Sequence, residues 1–156
     1  MKSMFKFALQ PLLDFRRRIE EKALTEYAGQ VRRFETEKER LERLRHEKSL
    51  LARRFSEMQQ GVMKAGDVAT LFAYLGRVSS EERGQEDVVR KAAEELEEKR
   101  QNLLEAVKKR KAIEVLRDRQ HEAYRQALVR KELRRLDEFG IEQHKRNEGK
   151  EGHHRL

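Results

Sequence analysis

The stretch from Glu81 to Asp137 constrains the fold most, because it contains no proline and a single glycine, Gly84. It is rich in Glu, Lys, Arg, Leu and Ala, which are strong helix formers. Apolar residues recur at steps of three and four, first as Val89, Ala93, Leu96, Leu103 and Val107. After a phase slip they continue as Ile113, Leu116, Ala123 and Ala127, with Leu133, Leu136 and Phe139 beyond. A heptad stripe with phase slips is typical of a coiled coil. At about 1.5 Å per residue this helix is roughly 85 Å long, and it needs a partner helix to bury its stripe.

The first third of the chain supplies a matching stripe. Its apolar members are Leu12, Ile19, Ala23, Tyr27, Val31, Phe34, Leu41, Leu44, Leu51, Phe55 and Met58. Lys38 and Lys48 fill two seam positions, where a lysine can bury its methylenes and keep its ammonium in water. Pro11 suits the first turn of a helix, so this helix should begin near Gln10 or Pro11. The alternation in residues 5–9 predicts an extended segment before it.

Glycines interrupt the pattern between the two stripes, at Gly61, Gly66, Gly76 and Gly84. Asp67 is a good helix N-cap and Gly76 a good C-terminal stop, which predicts a short helix between them. Ser79 with Glu82 forms a capping box, so the second long helix should begin there. Phe139 and Gly140 should close it.

These features predict an all-α fold: two long helices in an antiparallel coiled-coil hairpin, with a short helix in the connection. The hairpin should occupy residues 1–140, with long helices at about 11–60 and 80–139 and a tip at 61–79. Residues 141–156 should form a polar, disordered tail. Aligning the two stripes end to end places Tyr27 opposite Tyr124, so cysteines at these two positions should cross-link within one chain.

Charge is abundant and unevenly distributed. Charged residues make up 42% of the chain, aromatic residues make up 6%, and the formal net charge is +8. Residues 108–135 hold 11 basic and four acidic side chains, giving +7, whereas residues 81–98 hold eight acidic and three basic ones, giving −5. Mixed, periodic charge favours a coiled coil over disorder. Two oppositely charged zones could orient the protein on a charged partner.

Enzyme chemistry has little support in the sequence. The chain has no cysteine, no phosphate-binding Gly-Lys-Ser/Thr loop and no His-Glu-x-x-His motif. His153 and His154 could bind a stray metal ion, but a polar tail explains them better. No apolar run approaches the roughly 20 residues that cross a bilayer. We therefore expect no catalysis, no cofactor and no metal.

Two clusters have both a structural and a functional interpretation. The basic zone at 108–135 could be a solvated helix face, a docking surface for an acidic protein or, with less support, a nucleic-acid contact. The apolar residues of the connection could form a small local core that caps the hairpin, or an exposed patch that binds a partner. These residues are Leu71, Phe72, Tyr74 and Leu75.

Two end signatures resemble the FliJ family, small coiled-coil components of the flagellar type III export apparatus. The first is F-K-F-A-L-x-P-L-L-D-F-R, from Phe5 to Arg16. The second lies within residues 116–138 and includes Arg117, Tyr124, Arg130, Lys131, Glu132, Leu136, Asp137 and Glu138. The resemblance covers residues 4–139. It implies an antiparallel coiled coil similar to the gamma, or stalk, subunit of rotary ATPases.

The resemblance also implies partners and a location. The partners would be a hexameric export ATPase, the cytoplasmic domain of a membrane export gate, and export chaperones, at the inner face of the cell membrane at the flagellar base. The expected ring-docking residues are Phe5, Phe7, Leu9, Leu12, Leu13, Arg16, Arg130, Lys131, Arg134 and Arg135. The expected gate-docking residues are Leu71, Phe72, Tyr74 and Leu75. Rival hypotheses are an export chaperone, a general coiled-coil scaffold and a nucleic-acid-binding hairpin.

Overall fold

Two helices account for nearly all of the chain in a computed structural model, which describes residues 4–61 and 64–152. Helix α1 spans Gln10–Met58 and helix α2 spans Ala65–Gly152, and no strand occurs among these residues. The two helices pack against each other as a helical hairpin. The predicted all-α hairpin is therefore confirmed.

The beginning of α1 agrees with the sequence-based prediction. Residues 4–7 have no regular secondary structure and lead through a turn into Gln10. The Gln10 amide donates to the Phe7 carbonyl at 3.0 Å, and the Leu13 amide donates to the Leu9 carbonyl at 3.0 Å. Pro11 thus occupies the first turn, where its missing amide hydrogen leaves no broken helical bond.

The predicted boundaries of the second long helix are wrong. Helix α2 begins at Ala65 and runs without a break through Gly76, Ser79 and Gly140 to Gly152. There is therefore no separate short helix between 61 and 79, and residues 141–152 of the predicted tail are helical. None of the described glycines has a positive φ, the conformation that a glycine stop uses. A helical glycine costs only about 1 kcal/mol relative to alanine, which neighbouring good helix formers can offset.

The described residues divide into two compact units. The second unit comprises residues 17–108 and contains most of α1 with the first half of α2. Its helices are antiparallel, because contacts to later residues of α1 come from earlier residues of α2. Gln30 contacts Glu95 at 3.2 Å, and Arg45 contacts Glu86 at 3.3 Å.

The predicted alignment of the two helices is also wrong. Lys99 Nζ lies 3.4 Å from Glu26 Oε2, so the partner of the Tyr27 region is the helix around Lys99. Tyr124 instead contacts Phe5, and both of these residues belong to the first unit. The end-to-end alignment failed because α2 is 88 residues long and α1 only 49.

Burial in the second unit follows an uninterrupted seven-residue repeat. On α1 the buried and half-buried positions include the series 20, 27, 34, 41, 48, 55 and the series 23, 30, 37, 44, 51, 58. On α2 they include the series 71, 78, 85, 92, 99, 106 and the series 68, 75, 82, 89, 96, 103. These four series are called the seam. Polar residues such as Gln30, Glu82 and Gln85 occupy seam positions that the predicted apolar stripes did not include. Lys48 is a seam residue as predicted, whereas Lys38 is exposed.

The first unit comprises residues 4–16 and 109–152. Leu13 is fully buried and Phe7 is 8% exposed. Every residue of α2 from Arg125 to Gly152 is exposed, so this part of the helix has no packed partner among the described residues.

Candidate docking surfaces

The N-terminal segment of the first unit packs on α2 through aromatic contacts. The ring of Phe5 meets His121 edge-on, with centroids 5.0 Å apart, and Tyr124 at a centroid distance of 5.6 Å. Phe5, Phe7 and Arg117 also line one small open groove with Lys6 and Gln10. Aromatic pairs at these distances contribute beyond simple area burial. The N-terminal segment is therefore held against the second half of α2.

The structure brings all ten predicted ring-docking residues into the first unit. Their exposure divides them into two groups. Phe7 and Leu13 are buried and Phe5 and Arg16 half-buried, so these side chains contribute mainly to the packing of the unit itself. The exposed group is Leu9, Leu12, Arg130, Lys131, Arg134 and Arg135.

The exposed part of α2 also presents an apolar stripe that includes three residues of the predicted coiled-coil stripe, Leu133, Leu136 and Phe139. Its members are Leu128, Val129, Leu133, Leu136 and Phe139. Leu136 is 65% and Phe139 59% exposed. At 100° per residue these side chains cluster on one side of the helix, while Lys131 and Arg134 point to the other. Amphipathic periodicity revealed the stripe in the sequence, but only the burial pattern reveals that it is uncovered.

The predicted gate-docking residues lie in the second unit and differ in accessibility. Leu71 and Leu75 are half-buried seam residues. Phe72 is 65% exposed and so presents most of its ring to solvent. The leucines therefore contribute to the core of the hairpin, whereas Phe72 lies largely outside it.

Tyr74 is tied to the other helix. Its hydroxyl donates a hydrogen bond to Glu47 on α1, and the guanidinium of Arg77 lies 5.2 Å from its ring centroid. The hydrogen bond to the Glu47 carboxylate raises the pKa of Tyr74 above its usual value. Tyr74 thus joins the beginning of α2 to the end of α1, which positions the neighbouring Phe72.

Ion pairs across the seam hold the same region together. Glu82 of α2 lies 2.9 Å from Lys48 Nζ and 3.5 Å from Arg45 Nε. The hydrogen bond from Lys48, with the nearby Arg45, lowers the pKa of Glu82 below its usual value.

No group of three or more His, Cys, Asp or Glu side chains suited to a metal ion occurs within residues 4–61 and 64–152. No helix in the part of the chain that the structure describes is long and apolar enough to cross a membrane.

Comparison with known proteins identifies the family. The family model described as "Flagellar FliJ protein" matches residues 5–149. The chain belongs to the FliJ family. It is therefore a protein associated with flagellar type III export.

A solved structure supports the fold of this FliJ family member. The protein from Chlamydia trachomatis described as "a putative YscO homolog CT670" superposes with a TM-score of 0.53. The two sequences are 19% identical, and the match covers 91% of this chain and 96% of the other. At this identity the likeness concerns the fold alone. A search of curated proteins finds no match.

Proposed function

We propose that this FliJ family member is a non-enzymatic stalk and adaptor of the flagellar export apparatus. In this role it resembles the gamma subunit of rotary ATPases. It promotes assembly of the hexameric export ATPase ring and couples the ring to the export gate and to export chaperones. These contacts keep it peripheral to the cell membrane at the flagellar base, where export supports motility.

The observation that carries this proposal is the exposed, basic part of α2. From Arg125 to Gly152 the helix has no packed partner among the described residues, and it presents four basic side chains between 130 and 135. Long cationic side chains tolerate a ring in which several subunits present the same surface in turn, and they also steer the helix toward acidic partners. The apolar stripe on the same helix provides exposed apolar surface that the lumen of the ring would bury.

The experiment measures ATP hydrolysis by the purified export ATPase with this protein added. One variant reverses the docking charges: Arg130→Glu, Lys131→Glu, Arg134→Glu and Arg135→Glu. A matched control reverses four exposed basic residues of α1: Arg40→Glu, Arg43→Glu, Arg53→Glu and Arg54→Glu. We expect the first variant to lose stimulation and the control to retain it. Both should keep their helical circular dichroism, because exposed charges contribute little to stability.

Salt provides an independent readout of the same contact. Stimulation by the parent protein should fall as ionic strength rises, since the screening length shortens from about 10 Å at 0.1 M salt. If the folded docking variant stimulates the ATPase as well as the parent, the electrostatic account of ring docking fails. Binding to nucleic acid with a steep salt dependence, and none to the ATPase, would favour the nucleic-acid hypothesis instead.

Coupling to the export gate is assigned to Phe72, because it is an exposed aromatic residue beside a fixed tyrosine. Phe72→Ala should weaken binding to the cytoplasmic domain of the gate and leave helix content unchanged. Leu71→Ala is the matched control, since Leu71 is half-buried and its loss should lower the melting temperature. If Phe72→Ala destabilises the helix and binding persists, the residue belongs to the core of the hairpin.

A further inference from the structure

Two glutamines form reciprocal hydrogen bonds across the seam. Gln30 of α1 donates from Nε2 to the backbone carbonyl of Ala92 on α2, at 3.3 Å. Gln85 of α2 donates from Nε2 to the backbone carbonyl of Glu37 on α1, at 2.9 Å. The donor and the acceptor on each helix are seven residues apart. The two bonds are thus related by an approximate two-fold axis between the antiparallel helices.

Each amide also reaches a carboxylate of the opposite helix. Gln30 Nε2 lies 3.2 Å from Glu95 Oε2, and Gln85 Nε2 lies 2.5 Å from Glu37 Oε2. Gln85 is 4% exposed and is the one polar residue classed as buried within residues 4–61 and 64–152. A buried amide without hydrogen-bond acceptors destabilises the fold by its full desolvation free energy, so the position of Gln85 is energetically constrained.

Apart from the ion pair of Glu82 with Lys48, in which the glutamate side chain is 13% exposed, the rest of the seam discriminates weakly between alignments. Because burial repeats every seven residues, sliding one helix by a heptad again places seam positions opposite seam positions. The ion pairs flanking the seam add little, since the side chains of Arg33 and Glu95 are 59% and 48% exposed. Directional bonds to a buried polar group are what distinguish one register from the next, as a single polar seam residue does in coiled coils.

We propose that Gln30 and Gln85 form a register clamp that selects one alignment of the helices in the second unit. Ala92, which is 2% exposed, has a side chain small enough for Gln30 to reach the backbone behind it. A slip of one heptad would place Gln85 or Lys99 at that position, and their long side chains would cover the carbonyl. The opposite bond fails in the same slip, because Gln85 then faces Gln30 or Leu44 where it had faced Glu37.

The clamp determines which side chains α2 presents beside α1, including the contact between Tyr74 and Glu47. Its function is independent of the identity of any docking partner. Gln30 and Gln85 are accordingly positioning residues, which define the alignment of the helices and are not expected to bind a partner themselves.

The experiment maps the register with pairs of cysteines in the full chain. Glu47→Cys with Tyr74→Cys reports the observed alignment, while Glu47→Cys with Glu81→Cys or with Asp67→Cys reports a slip of one heptad. The thiol-reactive cross-linker has a spacer shorter than the rise of a heptad, about 10 Å. Each pair is placed in the parent, in Gln30→Met, in Gln85→Met and in the double variant, since methionine keeps the length and removes the hydrogen bonds.

Gln101→Met is the matched control, because Gln101 is exposed and donates to Glu97 on its own helix at 2.9 Å. We expect cross-linking of the slipped pairs to rise about tenfold in the double variant, the factor that corresponds to about 1.4 kcal/mol. The single variants should rise less and the control not at all. A double variant that links only the observed pair, as the parent does, overturns the proposal. A double variant that loses its helical circular dichroism also overturns it, because the glutamines would then act on stability and not on register.

Discussion

Adjacent leucines in the first turn of α1 provide a direct test of the packing of the first unit. Leu13 is completely buried, whereas Leu12 is 37% exposed. Truncating a fully buried leucine to alanine costs about 2–5 kcal/mol, from the lost transfer free energy and the cavity left behind. Truncating a partly exposed leucine costs less, about 1 kcal/mol, because its burial stabilised the fold less. We therefore expect Leu13→Ala to be the more destabilising substitution, by about 1–4 kcal/mol.

The assay is urea denaturation followed by far-UV circular dichroism, with hydrogen exchange of residues 5–16 measured alongside. Leu13→Ala should lower the free energy of unfolding or, if the first unit opens by itself, accelerate exchange in that segment. Leu12→Ala should lower the free energy of unfolding by only about 1 kcal/mol and leave exchange in that segment nearly unchanged, but it should weaken stimulation of the export ATPase, since its side chain is available for docking. Equal losses from the two substitutions would refute the packing of the N-terminal segment described above.

Three further predictions can each be checked with one purified variant. Gly76→Ala should raise the melting temperature, with a gain of up to about 1 kcal/mol, because a helical glycine is entropically costly and an added Cβ at this position meets nothing within 4 Å. Acidification should destabilise the hairpin through Glu82: its pKa is lowered by Lys48, so its contribution is present above the usual value of 4.5 and is lost as pH falls through the lowered pKa. Thermal melts of Glu82→Gln should accordingly show a weaker pH dependence than the parent, and an unchanged one would contradict this assignment. Cysteines at Glu26 and Lys99 should join within one chain when bridged by a short thiol cross-linker, as mass spectrometry of the digested product can establish.

The sequence by itself determined the class of fold and the beginning of the first helix. A chain with one proline, few large apolar residues and a sustained heptad pattern of apolar residues has few alternatives to paired long helices. Pro11 fixed the entry into α1, because a proline is tolerated in the first turn and disfavoured further inside. Two end signatures were also sufficient to indicate the family that the comparison then confirmed.

Helix boundaries could not be read from single residues. Gly76, Ser79 and Gly140 are all compatible with helix ends, and each lies within the continuous helix α2. A glycine lowers helix stability by a modest amount. Whether the helix ends there depends on whether the following residues have a lower free energy in a helix or in a turn. That balance is set by many neighbours together.

Register and exposure were decided only by the tertiary structure. The apolar pattern left out polar seam residues such as Gln85 and Glu82, whose partners lie on the other helix. Hydropathy cannot place a polar residue in a seam, since its burial depends on an acceptor or counter-charge distant in sequence. For the same reason the sequence assigned Leu136 to a packed stripe, although its side chain is 65% exposed. An apolar stripe predicts that one face of a helix can be buried against a partner helix. The length of that partner determines how much of the face is buried.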